Sequence, residues 1–322
     1  MNNVSQTTRL IEQETRKIII GKDRQIRLIL MAILSGGHVL LSDLPGSGKT
    51  TLVRALSLAV GCGFRRIQFT PDLLPSDILG MTVFNQKTGD FELRRGPIHT
   101  NILLADEINR AIPRTQAALL EAMEEGQVTI DGETLPLPRP FSVLATQNPV
   151  EHESTFDLPA AQMDRFFISL SMGYPTAEEE AGILSRLGDG TDYSVIERAA
   201  DPALLLTLRE EIKQVKVSDA VNAYIVSLVQ ATRTKPQLKA GGSPRASRTL
   251  YQGGKAWAAM QGRGYVTPED IQEIWLPVMA HRCLLSGESR MHGIRIESIL
   301  DAILDETAVP PQGKAIFHAA AE

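Results

Sequence analysis

His38-Val39-Leu40-Leu41 runs into Ser42-Asp43-Leu44-Pro45-Gly46-Ser47-Gly48-Lys49-Thr50-Thr51, and a helical pattern follows over residues 52–60. The order reads as a strand, a glycine-bearing turn and a helix with Lys-Thr at its entrance. Such a turn suits phosphate, because its backbone N–H groups and the positive end of the helix dipole converge on one anion. Lys49 would reach the β- and γ-phosphates of a nucleotide, and the Thr50 hydroxyl would hold Mg²⁺. Asp43, Leu44, Pro45, Gly46, Ser47, Gly48, Lys49, Thr50 and Thr51 are therefore expected to bind the nucleotide. The usual pattern opens with Gly where this chain has Asp43. Asp tolerates positive φ better than most residues, so the turn survives the exchange.

The remaining composition bounds the setting. The chain has 322 residues, 43% of them hydrophobic and 22% charged, which reads as an ordinary globular protein of one large or two modest domains. A formal net charge of −5 does not advertise a nucleic-acid binder. Cys62 and Cys283 lie far apart and make neither a disulfide framework nor a metal-ligand spacing. Residues 1–16 are polar and lack an apolar signal core, and the apolar run at 26–33 is broken by Arg27. The expectation is a soluble cytoplasmic protein.

Upstream of the turn, residues 5–19 pattern as an amphipathic helix and residues 23–34 as a second. Ile19, Ile20 and Gly21 between them are candidates to cover an adenine ring, or simply to pack in a core. Downstream, residues 66–70 read as a second strand. Two hairpins are expected, at residues 82–93 around Lys87-Thr88-Gly89-Asp90 and at residues 127–135 around Asp131-Gly132.

Asn101-Ile102-Leu103-Leu104-Ala105-Asp106-Glu107 is apolar without alternation, as in a parallel strand buried on both faces, and it ends in two carboxylates. Ligands of a doubly wound sheet sit at the carboxyl ends of its strands, beside the phosphates expected near Lys49. Asp106 is thereby placed to orient Mg²⁺, and Glu107 to polarise a water for in-line attack. A helix running over residues 113–125 follows. The next strand, residues 141–146, ends in Gln147-Asn148. Asn148 suits a post beside the γ-phosphate, with Gln147 and Thr146 as competitors. A short helix ends at Arg165 and leads into a fifth strand at 166–170. Arg165 has the alternatives of pairing with Asp164 or complementing the helix end.

After Tyr174-Pro175 the texture turns helical, with capping signals at Thr176, Ser218, Ser243 and Thr267. Arg245 lies in a first helical turn, against the dipole, which suggests an anion nearby unless the side chain faces solvent. Arg248 lies one turn on.

Taken together, these stretches resemble the AAA+ ATPases, and more closely the MoxR branch. The likeness rests on Arg66-Ile67-Gln68-Phe69-Thr70-Pro71-Asp72-Leu73-Leu74-Pro75-Ser76-Asp77-Ile78, on Leu104-Ala105-Asp106-Glu107-Ile108-Asn109-Arg110-Ala111, on Leu119-Leu120-Glu121-Ala122-Met123-Glu124-Glu125-Gly126-Gln127-Val128, on Ala145-Thr146-Gln147-Asn148-Pro149 and on Leu158-Pro159-Ala160-Ala161-Gln162-Met163-Asp164-Arg165-Phe166. The resemblance implies an α/β fold, a five-stranded parallel sheet of order 5-1-4-3-2 over residues 1–175, followed by an all-α lid over 176–322. It implies Walker A roles for Lys49 and Thr50, Walker B roles for Asp106 and Glu107, sensor roles for Asn148 and Arg245, and an arginine finger at Arg165 acting on a neighbouring subunit. It further implies ATP and Mg²⁺ as cofactors, a homo-oligomeric and usually hexameric ring, and chaperone-like remodelling or metal-centre assembly of a partner, often one with a von Willebrand factor A domain. A nucleotide-gated scaffold with little turnover and a nucleic-acid motor are the rival readings.

Overall fold

A computed structural model of the protein describes residues 2–42, 46–147, 155–188 and 190–310. It divides into two compact units, one spanning Gln6–Glu210 and the other joining the first residues of the chain to those from Glu211 onward. The first unit contains α1 (Asn2–Arg16, in large part), α2 (Asp23–Leu34), β1 (Val39–Ser42), α3 (Lys49–Ala59), β2 (Phe64–Gln68), α4 (Pro75–Leu79), β3 (Gly80–Asn85) and β4 (Asp90–Arg95). It continues through β5 (Ile102–Asp106), α5 (Pro113–Glu125), β6 (Gln127–Ile130), β7 (Glu133–Pro136), β8 (Ser142–Gln147), α6 (Ala160–Met163), β9 (Ile168–Leu170), α7 (Ala177–Leu187) and most of α8 (Pro202–Lys213).

Five strands form one parallel sheet in the order β2-β5-β8-β1-β9, which along the chain is the expected 5-1-4-3-2. The burial of each strand follows from its place. β5 is buried at every position and β8 at all but Gln147, as central strands covered on both faces must be. β2 lies at the edge and exposes Arg65, Arg66 and Gln68. Leu40, Leu103 and Val143 of the sheet pack in one core with Leu119 and Leu120 of α5 and with Phe166. The strands β3–β4 and β6–β7 are two antiparallel hairpins outside this sheet, at the two places where hairpins are expected.

Some boundaries differ from the sequence reading. α1 ends at Arg16, because Ile18 and Ile19 leave the helix to be buried and Gly21 turns the chain at φ +71°. β2 lies two residues earlier than expected, paired from Phe64 to Gln68 against β5. β9 starts only at Ile168, since Phe166 still closes a turn onto the Met163 carbonyl. By packing, residues up to Glu210 stay with the sheet. Gly182 of α7 lies against Ile20, the Ala199 N–H donates to Ala59, and Arg209 donates to the Ile33 carbonyl.

The second unit is helical: α9 (Asp219–Thr234), α10 (Pro244–Met260), α11 (Pro268–Met279), α12 (Gly287–Met291) and α13 (Ile296–Glu306), with a small antiparallel ladder of β10 (Leu238–Ala240) and β11 (Leu284–Leu285). Its caps are those the sequence signals. Ser218 and Ser243 accept N–H bonds at the starts of α9 and α10, and Asp270 accepts the Thr267 N–H at the start of α11. Buried Trp275 donates its indole N–H to the Leu300 carbonyl at 3.0 Å, tying α11 to α13. Among the described residues, no helix is long and apolar enough to cross a membrane.

His38 locks the foot of the sheet. It is buried, its Nε2 donates to the Met123 carbonyl of α5 at 3.0 Å, and its Nδ1 accepts the Val143 N–H of β8 at 3.0 Å. Burial pushes its pKa down from 6.5 to about 4. A pKa depressed in the folded state means that the unfolded chain takes up the proton first as pH falls. The stability is therefore whole above about pH 6.5 and is lost on the way to pH 4, by on the order of 3 kcal/mol in total. Urea unfolding at pH 7.5 and pH 5 should show roughly two thirds of that loss, about 2 kcal/mol, in the wild type. His38→Gln should start less stable and fall less on acidification. An equal acid loss in the variant would assign the effect to other groups.

Candidate functional site

The turn into α3 needs its glycines for backbone reasons. Gly46 and Gly48 adopt φ +82° and +80°, and nothing lies within 4 Å of where a Cβ would stand at either. It is the left-handed backbone and not crowding that calls for glycine there. Gly48 caps α3, so Lys49 and Thr50 begin the helix with N–H groups that have no intrahelical acceptor. Ser47 Oγ is buried with no hydrogen-bond partner among the described residues. A helix N-terminus with an orphaned hydroxyl beside it fits an anionic ligand. Asp43, Leu44 and Pro45, on which the reading of the turn also rests, lie outside the described residues.

Across the sheet, Asp106 and Glu107 end β5 beside Thr146 of β8. The buried Thr146 hydroxyl donates to Asp106 Oδ1 at 2.6 Å and accepts the Glu107 N–H at 2.8 Å. Glu107 sits in the left-handed region at φ +56°. That conformation costs a non-glycine residue about 1–2 kcal/mol, and the Thr146 bond offsets it. The Glu107 carboxylate accepts from Gln68 Nε2 at 2.6 Å and from Arg110 Nη1 at 3.0 Å, both at Oε2. The other carboxylate oxygen of Asp106, Oδ2, accepts from Arg66 Nη2 at 2.6 Å and Nε at 3.1 Å. Gln116 fastens the turn after Glu107 by donating Nε2 to the carbonyls of Ala111 and Phe156 at 3.0 and 2.9 Å.

Thr50 and Asp106, the residues expected to hold Mg²⁺, offer a hydroxyl and a carboxylate, oxygen donors of the kind a hard cation takes. A few protein oxygens completed by phosphates and water is how Mg²⁺ is ordinarily held, in contrast to an all-protein cage.

Not every expected residue joins this cluster. Asn148 lies outside the described residues. Arg165 follows α6 and pairs with Glu124 at the end of α5, Nε to Oε2 at 3.2 Å. Arg245 is exposed in the first turn of α10, in the helical unit, with its N–H on Ser243 Oγ at 3.1 Å. Ile20 and Gly21 lie beside α7, where a Cβ on Gly21 would run into the Glu179 carboxylate.

The sequence pattern does not single out Arg66, Gln68, Arg110 or Gln116 near the carboxylates, and it offers Thr146 only as a rival to Asn148. The available signal was the alternation of β2, which puts Arg66 and Gln68 on one face, next to β5. If Thr146 is the common anchor, Thr146→Val should lower stability by about 1–3 kcal/mol, since it strands a carboxylate oxygen and an N–H. Thr146→Ser should restore most of it. Thermal unfolding of the three proteins checks this, and an unchanged midpoint in the valine variant would refute it.

Comparisons with known proteins give the family. Residues 38–168 match the model of the ATPase family associated with various cellular activities, and residues 230–303 match that of the AAA lid domain. The chain is 46% identical over 304 residues to the uncharacterised protein YeaC of Bacillus subtilis, covering 94% of this chain and 95% of that one. It is 40% identical over 306 residues to the chaperone MoxR1 of Mycobacterium tuberculosis, covering 92% and 81%. A crystal structure from Cytophaga hutchinsonii, assigned as an ATPase, matches with a TM-score of 0.90 at 38% identity over 95% of this chain and 96% of that one. With such identity along nearly its whole length, the chain belongs to the MoxR family of AAA+ ATPases.

Proposed function

We propose that this protein hydrolyses ATP with Mg²⁺ as part of a homo-oligomeric, hexameric ring, and uses the cycle to remodel a partner protein. The observation that carries the reading is the pair Asp106 and Glu107, held side by side by one buried hydroxyl at the carboxyl end of the central strand. In this reading the N–H groups at the start of α3 and Lys49 cradle the phosphates. Thr50 and Asp106 hold magnesium, which when bound neutralises charge on the phosphate oxygens. Glu107 takes a proton from the attacking water, and Asn148 orients that water or the γ-phosphate. Ile20 and Gly21 border the base. Arg165 of one subunit stabilises charge at the ATP of the next, and Arg245 links the nucleotide to the helical unit.

Partner work is supported by the surface of β3–β4. Phe84 and Phe91 face each other across the hairpin, ring centroids 5.3 Å apart, and are 55% and 73% exposed. Met81 and Leu93 are exposed on the same hairpin. Apolar side chains left this open suit contact with another protein. The relative named as a chaperone agrees. A partner with a von Willebrand factor A domain, and the assembly of its metal centre, belong to this proposal as the family's usual task.

Glu107→Gln should bind ATP and lower hydrolysis by about a hundredfold or more, the usual scale for losing a general base. If maturation of the partner survives Glu107→Gln but fails with Lys49→Ala, turnover is not the function and the scaffold reading prevails. The trans role of Arg165 has its own measurement. Lys49→Ala and Arg165→Ala proteins, each inactive alone, should regain part of the ATPase activity when mixed. Mixed rings without recovery would remove Arg165 from the neighbour's site.

A further inference from the structure

Both oxygens of Asp106 already have partners, and the two partners are not alike. Oδ1 takes the Thr146 hydroxyl, which is buried and fixed by its second bond to the Glu107 N–H. Oδ2 takes two N–H groups of Arg66, which is 47% exposed on the edge strand while the Asp106 side chain is 12% exposed. Arg66 Nη2 also donates to Gln68 Oε1 at 2.9 Å, so the guanidinium bridges Gln68 and the Asp106 carboxylate. Thr146 cannot leave without unseating Glu107. Arg66 can, because its stem is flexible and its head reaches solvent.

We propose that Arg66 is a positioning residue that covers the metal-binding oxygen of Asp106, so that Asp106 accepts a divalent cation only when nucleotide arrives with it. The inference rests on the reading of Thr50 and Asp106 as the metal side chains. A guanidinium on Oδ2 neutralises the charge that would draw a free cation and fills the lone pairs that would hold it. A cation carried by ATP brings the phosphate charge with it, and that charge gives Arg66 another partner of a kind Arg pairs with well. If Arg66 only fastened β2 to β5, its loss would lower stability and leave cation affinity as it was.

The experiment uses Mn²⁺ as probe, its free concentration read by electron paramagnetic resonance, on the full chain without nucleotide. Wild type should bind Mn²⁺ weakly. Arg66→Met should bind it about tenfold more tightly, the scale of removing one adjacent charge near a surface. Arg66→Lys should stay near wild type, and adding Asp106→Asn to Arg66→Met should abolish the gain. With a non-hydrolysable ATP analogue present, wild type and Arg66→Met should differ by much less. Unchanged Mn²⁺ affinity in an Arg66→Met protein that is folded by circular dichroism overturns the inference, as does a gain that survives Asp106→Asn. If wild type takes up no Mn²⁺ even with the analogue, the metal reading of Asp106 itself fails, and that result is distinct from the other two.

Discussion

The Thr146 hydroxyl donates to Asp106 and accepts from the N–H of Glu107, so both carboxylates depend on contact between β5 and β8. Each bond is worth about 1 kcal/mol net, and more if broken in place, because buried polar groups would be stranded. This gives the sheet order a chemical meaning. Only when β8 lies beside β5 does residue 146 stand next to residues 106 and 107. β1 must then lie on the other side of β8, which brings the turn before Lys49 to the same end of the sheet. The left-handed Glu107 is the strained point of the arrangement, and its strain is held by the strand it faces.

β2 plays a different part. An edge strand has a neighbour on one side only and exposes polar side chains at little cost. Here that freedom is used inward. Arg66 and Gln68, two residues apart, reach across to Asp106 and Glu107, which are adjacent in β5 and its end. Arg110, from the short 3-10 turn Ile108–Arg110, closes the other side of Glu107. The Asp106 carboxylate and the Glu107 backbone thus share one partner on a buried central strand, while Asp106 Oδ2 and the Glu107 carboxylate take theirs from more exposed segments. The first kind fixes position, and the second can be exchanged for a ligand.

Much of this was legible in the sequence because it follows from local pattern. The unbroken apolar run before Asp106 could only be a strand buried on both faces, and its end had to lie with the phosphate turn. Capping residues at Thr176, Ser218 and Ser243 marked helix starts correctly, since a cap is a local bond. What was not legible depends on register between strands far apart in sequence. The Arg66–Asp106 and Gln68–Glu107 bonds each span about forty residues, and they require β2 to be paired with β5 at one particular offset. Glu124 as a partner of Arg165 was not legible for the same reason: it is about forty residues away in the chain and is brought near because α5 returns to the foot of β1, where His38 binds the Met123 carbonyl.

That last pair bears on the proposed action of Arg165 at a neighbouring subunit. Arg165 and Glu124 are each about one third exposed. Ion pairs of such exposure contribute roughly 0–1 kcal/mol, since solvent screening and side-chain entropy offset most of the attraction. Separating them therefore costs little. A triphosphate offers the guanidinium a denser charge in a drier place, and a planar fork that matches phosphate oxygens. The backbone around Arg165 is far more firmly held. The Phe167 N–H donates to the His38 carbonyl at 2.8 Å, Phe166 is fully buried, and a Cβ on Gly37 would collide with Phe167. A rigid base with a loosely paired head is what a residue needs if it is to change partners when a second subunit docks.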